Sequence, residues 1–158
     1  MVFAIGSALD MNEIPDAILQ SFISVFSRLP QRVIWQWKGK PRLNMPPNVK
    51  TIAWIPQQDL LGFPIRFLLR PNDWLWLSSK ILSSGHKDCR LFLTHGGLNS
   101  LQEAVYHGVP VLGLPLVNDQ ISNMKRAIIG GYGLVLEWKD ISESSLTETL
   151  HELLNTTQ

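Results

Sequence analysis

The chain has 158 residues, with 14 Lys and Arg against 13 Asp and Glu and a single Cys. This length suits one domain and argues against two full ones. The net charge of +1 and the lack of a Lys- or Arg-rich block argue against a nucleic-acid partner. The first residues do not resemble a secretory signal, and no run of about 18 apolar residues predicts a membrane span.

Short apolar segments alternate along the chain with longer segments of helical periodicity. In chain order, the predicted strands are residues 2–5, 32–37, 49–54, 91–94, 111–114 and 134–136. The predicted helices are residues 14–29, 98–107, 119–129 and 146–154. This alternation is typical of β/α units on a parallel sheet. The sequence therefore predicts an α/β fold with a Rossmann-like parallel sheet and flanking helices.

Two glycine-rich segments are candidates for binding phosphate. Residues 130–133 follow a helix, so we interpret them as a helix-ending turn. Residues 95–97 follow a predicted strand and precede a helix, where N–H groups and the helix dipole favour an anion. Ser100 and Glu103 have the S-x-x-E spacing of a capping box, so these residues alone leave a helix cap and a phosphate site equally open.

The turn at residues 95–97 is part of a longer pattern that keeps its spacing over 29 residues. The restricted positions are Phe92-Leu93-Thr94-His95-Gly96-Gly97-Leu98-Asn99-Ser100, Glu103, Pro110, Pro115 and Asp119-Gln120. This stretch resembles the nucleotide-sugar signature of the UDP-glycosyltransferase family. The segment Trp54-Ile55-Pro56-Gln57-Gln58-Asp59-Leu60-Leu61-Gly62 is similar to the block that precedes the signature in animal members, and residues 2–7 look like the start of their donor-binding domain.

The resemblance implies the C-terminal half of a GT-B fold, with residues 1–158 forming a single UDP-sugar donor-binding domain. The co-substrate would be UDP-glucose or UDP-glucuronate, and neither a cofactor nor a metal would be needed. A hexosyl group would pass with inversion to a small lipophilic acceptor. In the family the acceptor site and the catalytic base lie in the N-terminal half, so we expect no catalytic residue in this chain and that half to be absent.

The resemblance also assigns residues to the uridine end of the donor. Trp54 and Ile55 would line the uracil site through ring contact and backbone hydrogen bonds. Gln57 or Gln58 would reach the uracil or the ribose. Glu103 would accept hydrogen bonds from the ribose diol, as a carboxylate can with two oxygens. Read from the residues alone, Trp54 on a strand is also typical of core.

A second group of residues would hold the diphosphate. By the same resemblance these are Ser7, His95, Asn99 and Ser100, together with the backbone amide of Gly97. His95 would stabilise the leaving diphosphate and would not act as the base. The alternative that the residues themselves leave open is that His95 caps the following helix.

The sugar hydroxyls would be bound by Asp119 and Gln120, again by resemblance. Asp119 is equally suited by position to cap the helix that it begins. Asn118 and Asn123 are interpreted as surface polar residues.

Residues 63–85 are the main departure from the family pattern. These 23 residues are rich in Trp, Leu and Phe and have no clean period. We interpret them as an atypical insertion, either a natural loop or, as we favour, a mis-predicted gene segment, because so much apolar surface would be exposed beside the donor site.

Two further expectations concern an alternative function and the location of the protein. The alternative function is a non-catalytic UDP-binding fragment or truncated isoform that pairs with or regulates a full-length relative. Family resemblance implies the lumenal side of the endoplasmic-reticulum membrane, although the sequence shows neither a signal nor an anchor.

Overall fold

The computed structural model describes residues 1–5, 11–39, 44–55, 57, 61 and 89–156. Its strands are β1 (Val2–Ala4), β2 (Val33–Gln36), β3 (Val49–Ile52), β4 (Phe92–Thr94), β5 (Val111–Gly113) and β6 (Gly133–Val135). Its α-helices are α1 (Asp16–Arg28), α2 (Leu98–Tyr106), α3 (Asn118–Ile129) and α4 (Glu143–Thr156). Short 3-10 helices lie at Met11–Glu13 and Trp138–Asp140. None of the helices described is long and apolar enough to cross a membrane, and the predicted insertion at residues 63–85 falls outside the described residues.

The described strands form one parallel sheet in the order β3-β2-β1-β4-β5-β6. Val2 of β1 pairs with Ile34 on one side and Phe92 on the other. The chain therefore builds the sheet outward from β1 in one direction and then from β4 in the other. This order confirms the predicted Rossmann-like sheet. Doubly wound sheets bind ligands where the order reverses, outside the carboxyl ends of the strands, which here means between β1 and β4.

Alternate residues of the strands face two separate hydrophobic cores. Phe3, Trp35 and Leu93 lie in the core that α1 and α4 cover. Val2 and Phe92 lie in the core that α2 and α3 cover. Both faces of the sheet are thus buried, which explains why β1, β5 and β6 carry no polar side chain, whereas the edge strand β3 includes Lys50 and Thr51.

Five aromatic rings form the centre of the core under α1. Trp35 stacks on Phe3 with their ring centres 4.9 Å apart. Phe22 lies 5.0 Å from Phe3, and the edges of Phe26 and Trp37 pack against Trp35 at 5.5 and 5.2 Å. Each such pair stabilises the fold by about 0.5–1.5 kcal/mol in addition to the effect of burying its apolar surface. They make a rigid platform of β1 and β2, whose carboxyl ends border the ligand-binding edge.

Helix α4 begins three residues before its predicted start, and its cap explains the difference. The Ser142 hydroxyl accepts a hydrogen bond from the Ser145 N–H at 3.1 Å, and the Ser145 hydroxyl accepts one from the Ser142 N–H at 3.0 Å. This reciprocal pair satisfies two N–H groups that a helix start leaves open. The predicted start of the helix at Leu146 was therefore wrong.

The glycine-rich segment at residues 130–133 ends α3, as predicted. The Gly130 N–H donates to the Arg126 carbonyl at 2.9 Å, which closes the last turn of the helix. Gly131 has a φ of +72°, a conformation that favours glycine, and β6 begins at Gly133.

Candidate functional site

The predicted site residues meet at the carboxyl edge of the sheet. Strand β4 ends at Thr94 and is followed by the turn His95-Gly96-Gly97, which leads directly into α2. This turn lies beside the end of β1, at the point where the strand order reverses. The sequence therefore places its polar turn where the fold binds ligands. Ser7 and Gln58, two further predicted site residues, lie outside the described residues.

The two glycines of the turn are required by its geometry. Gly96 has a φ of +86°, and a Cβ added there would lie 2.8 Å from Cγ of Met124 and 3.2 Å from the Gln120 carbonyl oxygen. A Cβ on Gly97 would lie 2.6 Å from Nε2 of His95. The turn is thus pressed against α3 on one side and against the imidazole on the other. Gly96 is favoured by its positive φ, and a side chain on Gly97 would displace the His95 ring.

Helix α2 starts without a capping side chain. Its N-cap residue is Gly97, and no side chain among the described residues makes a capping hydrogen bond there. Ser100 is the third helical residue, so the capping-box interpretation of Ser100 and Glu103 is wrong, as is the alternative that His95 caps the helix. The first N–H groups of α2 have no partner within the helix, and together with the dipole they can attract an anion.

The imidazole of His95 is in its neutral form at neutral pH. Burial lowers the pKa of its imidazole, and the negative charge of Asp119 offsets part of that effect. Its Nδ1 atom is buried and has no hydrogen-bond partner within the described part of the chain. At neutral pH the ring therefore offers one N–H donor and one acceptor nitrogen beside the turn.

Gln57, Ser100 and Glu103 form a polar cluster that joins the end of β3 to α2. The side-chain amide of Gln57 donates to the Ser100 hydroxyl at 3.0 Å and to a Glu103 carboxylate oxygen at 2.8 Å. Ser100 is buried, and the other two side chains are half-buried. The chain thus brings together residues that are 43 and 46 positions apart in sequence. Their polar atoms converge beside the start of α2.

Trp54 follows the end of β3 with 70% of its surface exposed. Its exposure shows that the core interpretation of this residue is wrong. The ammonium group of Lys38 lies 5.9 Å from the centre of the indole ring, within range of a cation–π interaction. Ile55, the next residue, is buried in the core under α2 and α3. The indole is therefore an exposed aromatic ring that follows β3, with the Lys38 ammonium over it.

Asp119 and Gln120 lie in the first turn of α3 but differ in their surroundings. Asp119 is exposed and makes no capping hydrogen bond, so the interpretation of this residue as a helix cap is wrong. Gln120 is buried, and its side-chain oxygen accepts hydrogen bonds from the N–H groups of Leu116 and Val117 at 2.7 and 3.2 Å. Gln120 therefore holds the start of α3 in place as well as lying near the turn.

Two residues near the site carry contacts that the sequence did not indicate. Asn123 of α3, interpreted as a surface residue, is half-buried and donates from its side-chain amide to the Gly96 carbonyl at 3.2 Å. Lys38 lies outside the predicted strands and helices, yet its ammonium group lies over the ring of Trp54. The spacing of Asn123, one helical turn after Asp119 and Gln120, was the available signal for its position.

The chain is similar to proteins of one enzyme family over nearly its whole length. The model of the family described as "UDP-glucoronosyl and UDP-glucosyl transferase" matches residues 1–67 and 74–158. The chain belongs to this family. The 2-hydroxyacylsphingosine 1-beta-galactosyltransferase of Homo sapiens is 38% identical over 138 residues, 87% of this chain and 21% of that protein. UDP-glucuronosyltransferase 2C1 of Oryctolagus cuniculus is 32% identical over 155 residues, 98% of this chain and 26% of that protein.

Solved structures of glycosyltransferases share the fold. Os79 from O. sativa, solved in complex with UDP, superposes with a TM-score of 0.72 at 17% identity over 98% of this chain and 31% of its own. The glycosyltransferase of kitacinnamycin gives a TM-score of 0.72 at 23% identity, with 97% and 34% covered. The chain thus has the fold of one half of a GT-B glycosyltransferase, and it spans about a quarter of the length of the curated family members it matches.

Proposed function

We propose that this chain is the donor-binding half of a UDP-glycosyltransferase, which holds UDP-glucose or UDP-glucuronate while the sugar passes to a small lipophilic acceptor. One observation carries the proposal. The glycine turn at the start of α2 and the Gln57–Ser100–Glu103 cluster lie together at the switch point of the sheet. A helix start binds a diphosphate, and a carboxylate with an amide binds a ribose, so the two features together suit a nucleoside diphosphate.

The uridine end of the donor would lie between Trp54 and the cluster. An exposed indole offers a face on which uracil can stack, and the backbone of Ile55 next to it can pair with the base edge. Glu103 would take the two ribose hydroxyls as donors to its carboxylate. Gln57 already donates to Glu103, so it would fix the orientation of that carboxylate for the diol.

The diphosphate would lie against the start of α2. The N–H groups of Gly97 and of the first helical turn, which includes Asn99 and Ser100, would donate to its oxygens. His95, neutral because burial lowers its pKa, would add one N–H donor. These donors and the helix dipole supply the positive field that a departing diphosphate needs, so we propose that binding requires neither a metal nor another cofactor.

The sugar would extend from the diphosphate toward the first turn of α3. The exposed carboxylate of Asp119 and the amide nitrogen of Gln120 are the groups there that can bind sugar hydroxyls. In the transfer, the acceptor oxygen would bond to the anomeric carbon from the face opposite the diphosphate. The bond between that carbon and the diphosphate oxygen would break, and a base of the other half would take the acceptor proton.

Calorimetric titration of the chain with UDP, UDP-glucose and UDP-glucuronate in the presence of EDTA tests this proposal. We expect saturable binding that Glu103→Ala weakens about tenfold to a hundredfold, because hydrogen bonds to a charged group are worth about 1.5–3 kcal/mol. Glu148→Ala is the matched control, since it removes an exposed carboxylate of α4 whose partner is Ser144. A folded wild-type chain that binds none of these ligands, or a Glu103→Ala chain that binds as well as wild type, would contradict the proposal.

A further inference from the structure

The contact between Asn123 and the glycine turn fixes the direction in which the Gly97 N–H points. The Asn123 side-chain amide donates to the Gly96 carbonyl oxygen at 3.2 Å. That carbonyl and the N–H of Gly97 belong to the same peptide unit, which is planar, and in a trans peptide they point in opposite directions. Holding the carbonyl toward α3 therefore turns the Gly97 N–H away from α3.

Side-chain hydrogen bonds hold Gly96 on both sides. The N–H of Gly96 donates to the Thr94 hydroxyl at 3.3 Å. A Cβ added to Gly96 would meet Met124 and the Gln120 carbonyl, so the turn packs closely against the part of α3 that carries Asn123. Both ends of the Gly96 residue are thus fixed by side chains, one from β4 and one from α3.

We propose that Asn123 is a positioning residue for the diphosphate, which aims the Gly97 N–H into the donor site. The inference rests on the proposed function for the identity of the ligand. It also gives α3 a second task, since the same helix carries Asp119 and Gln120 toward the sugar. Asn123 donates to the turn, so we expect its effect to be confined to the phosphate end of the donor.

Binding measurements on two variants with two ligands test whether Asn123 positions the Gly97 N–H or only supports the fold. Asn123→Asp keeps the shape of the side chain but sets a carboxylate oxygen against the Gly96 carbonyl, and Asn123→Ala removes the donor. We expect each to weaken UDP binding about tenfold or more, while the affinity for uridine, which has no phosphate, changes less than about threefold. Asn155→Asp is the matched control on an exposed helix surface, and it should change neither affinity.

A measurement without ligand tests the same point on the turn itself. In ¹H–¹⁵N spectra, we expect Asn123→Asp to move the amide resonance of Gly97 and to leave that of Trp35, in the opposite core, unchanged. Asn48→Ala provides a structural comparison, because Asn48 donates to the carbonyls of Phe26, Leu29 and Gln31 far from the site. That variant should lower the melting temperature without changing the affinity for UDP relative to the affinity for uridine.

The outcomes distinguish this inference from the proposed function. A wild-type chain that binds no UDP overturns the proposed function, and the inference with it. A wild-type chain that binds UDP while both Asn123 variants bind it equally well overturns the inference alone. Equal losses of UDP and uridine affinity, or an unmoved Gly97 resonance in Asn123→Asp, would also overturn it, because Asn123 would then support the fold in general.

Discussion

His95 links the protonation of a single residue to the stability of the fold. Burial lowers its pKa below the ordinary value of about 6.5. As the pH falls through that value, the unfolded chain takes up a proton at this residue before the folded chain does. The contribution of His95 to the free energy of unfolding is therefore present at neutral pH and is lost as the pH falls.

We expect the free energy of unfolding of the ligand-free chain to fall between about pH 7.5 and pH 5.5 more steeply in the wild type than in His95→Gln. Urea denaturation at a series of pH values measures both slopes. His151→Gln replaces an exposed histidine of α4 and should follow the wild type. Parallel pH profiles for the wild type and His95→Gln would show that the imidazole is not buried as the structure has it.

Residues of the site differ in how far the sequence could reveal them. The turn at residues 95–97, Gln57 and Glu103 could be named because their spacing matches a family signature. Whether Ser100 caps a helix or serves a ligand could not be settled by spacing, since both uses allow the same letters. Asn123 was missed because its partner is a backbone carbonyl 27 positions earlier, and a carbonyl leaves no trace in sequence.

At the scale of the element, the predicted segments exist but most are longer than those observed. Ile5, Leu91 and Leu114 were assigned to strands, and all three are buried although they lie outside β1, β4 and β5. Apolar patterns report burial, whereas a strand ends where its hydrogen-bonded neighbour ends. This difference explains why the prediction places the cores correctly and extends the strands by a residue or two.

The cap of α4 gives a prediction at the same scale. Ser142→Ala should lower the free energy of unfolding by about 1 kcal/mol, because it removes the acceptor for the Ser145 N–H. Chemical denaturation measures the change. Ser144 lies two residues after Ser142 and is also exposed, but it does not cap the helix. Ser144→Ala should therefore lower the free energy of unfolding by less. The affinity for UDP should stay the same in both, since α4 covers the opposite face of the sheet from α2 and α3. Equal losses in the two variants would argue against the cap.

At the scale of the whole molecule, the alternation of strands and helices was enough to predict a parallel sheet buried on both faces. It could not give the strand order, because pairing depends on contacts between distant segments. The order β3-β2-β1-β4-β5-β6 locates the proposed site, since it places the ends of β1 and β4 side by side at one edge. The interpretation of residues 63–85 as an insertion stays a prediction.

The site draws on both sides of this switch point, so ligand binding should stabilise the molecule as a unit. Gln57 follows β3, His95 follows β4, and Asn123 belongs to a helix between β5 and β6. A ligand that binds only the folded chain adds about 2.7 kcal/mol at one hundred times its Kd. For a domain of this size, that corresponds to a rise in melting temperature of about 5–10 °C.

Differential scanning calorimetry with increasing UDP measures this rise. We expect a single transition that moves upward with the logarithm of the UDP concentration, because the contacts on both sides of β1 and β4 must break together. Glu103→Ala should need about tenfold to a hundredfold more UDP for the same shift, in line with its weaker binding. Two transitions of which UDP moves only one would mean that the two sides of the sheet unfold independently and that the ligand contacts only one of them.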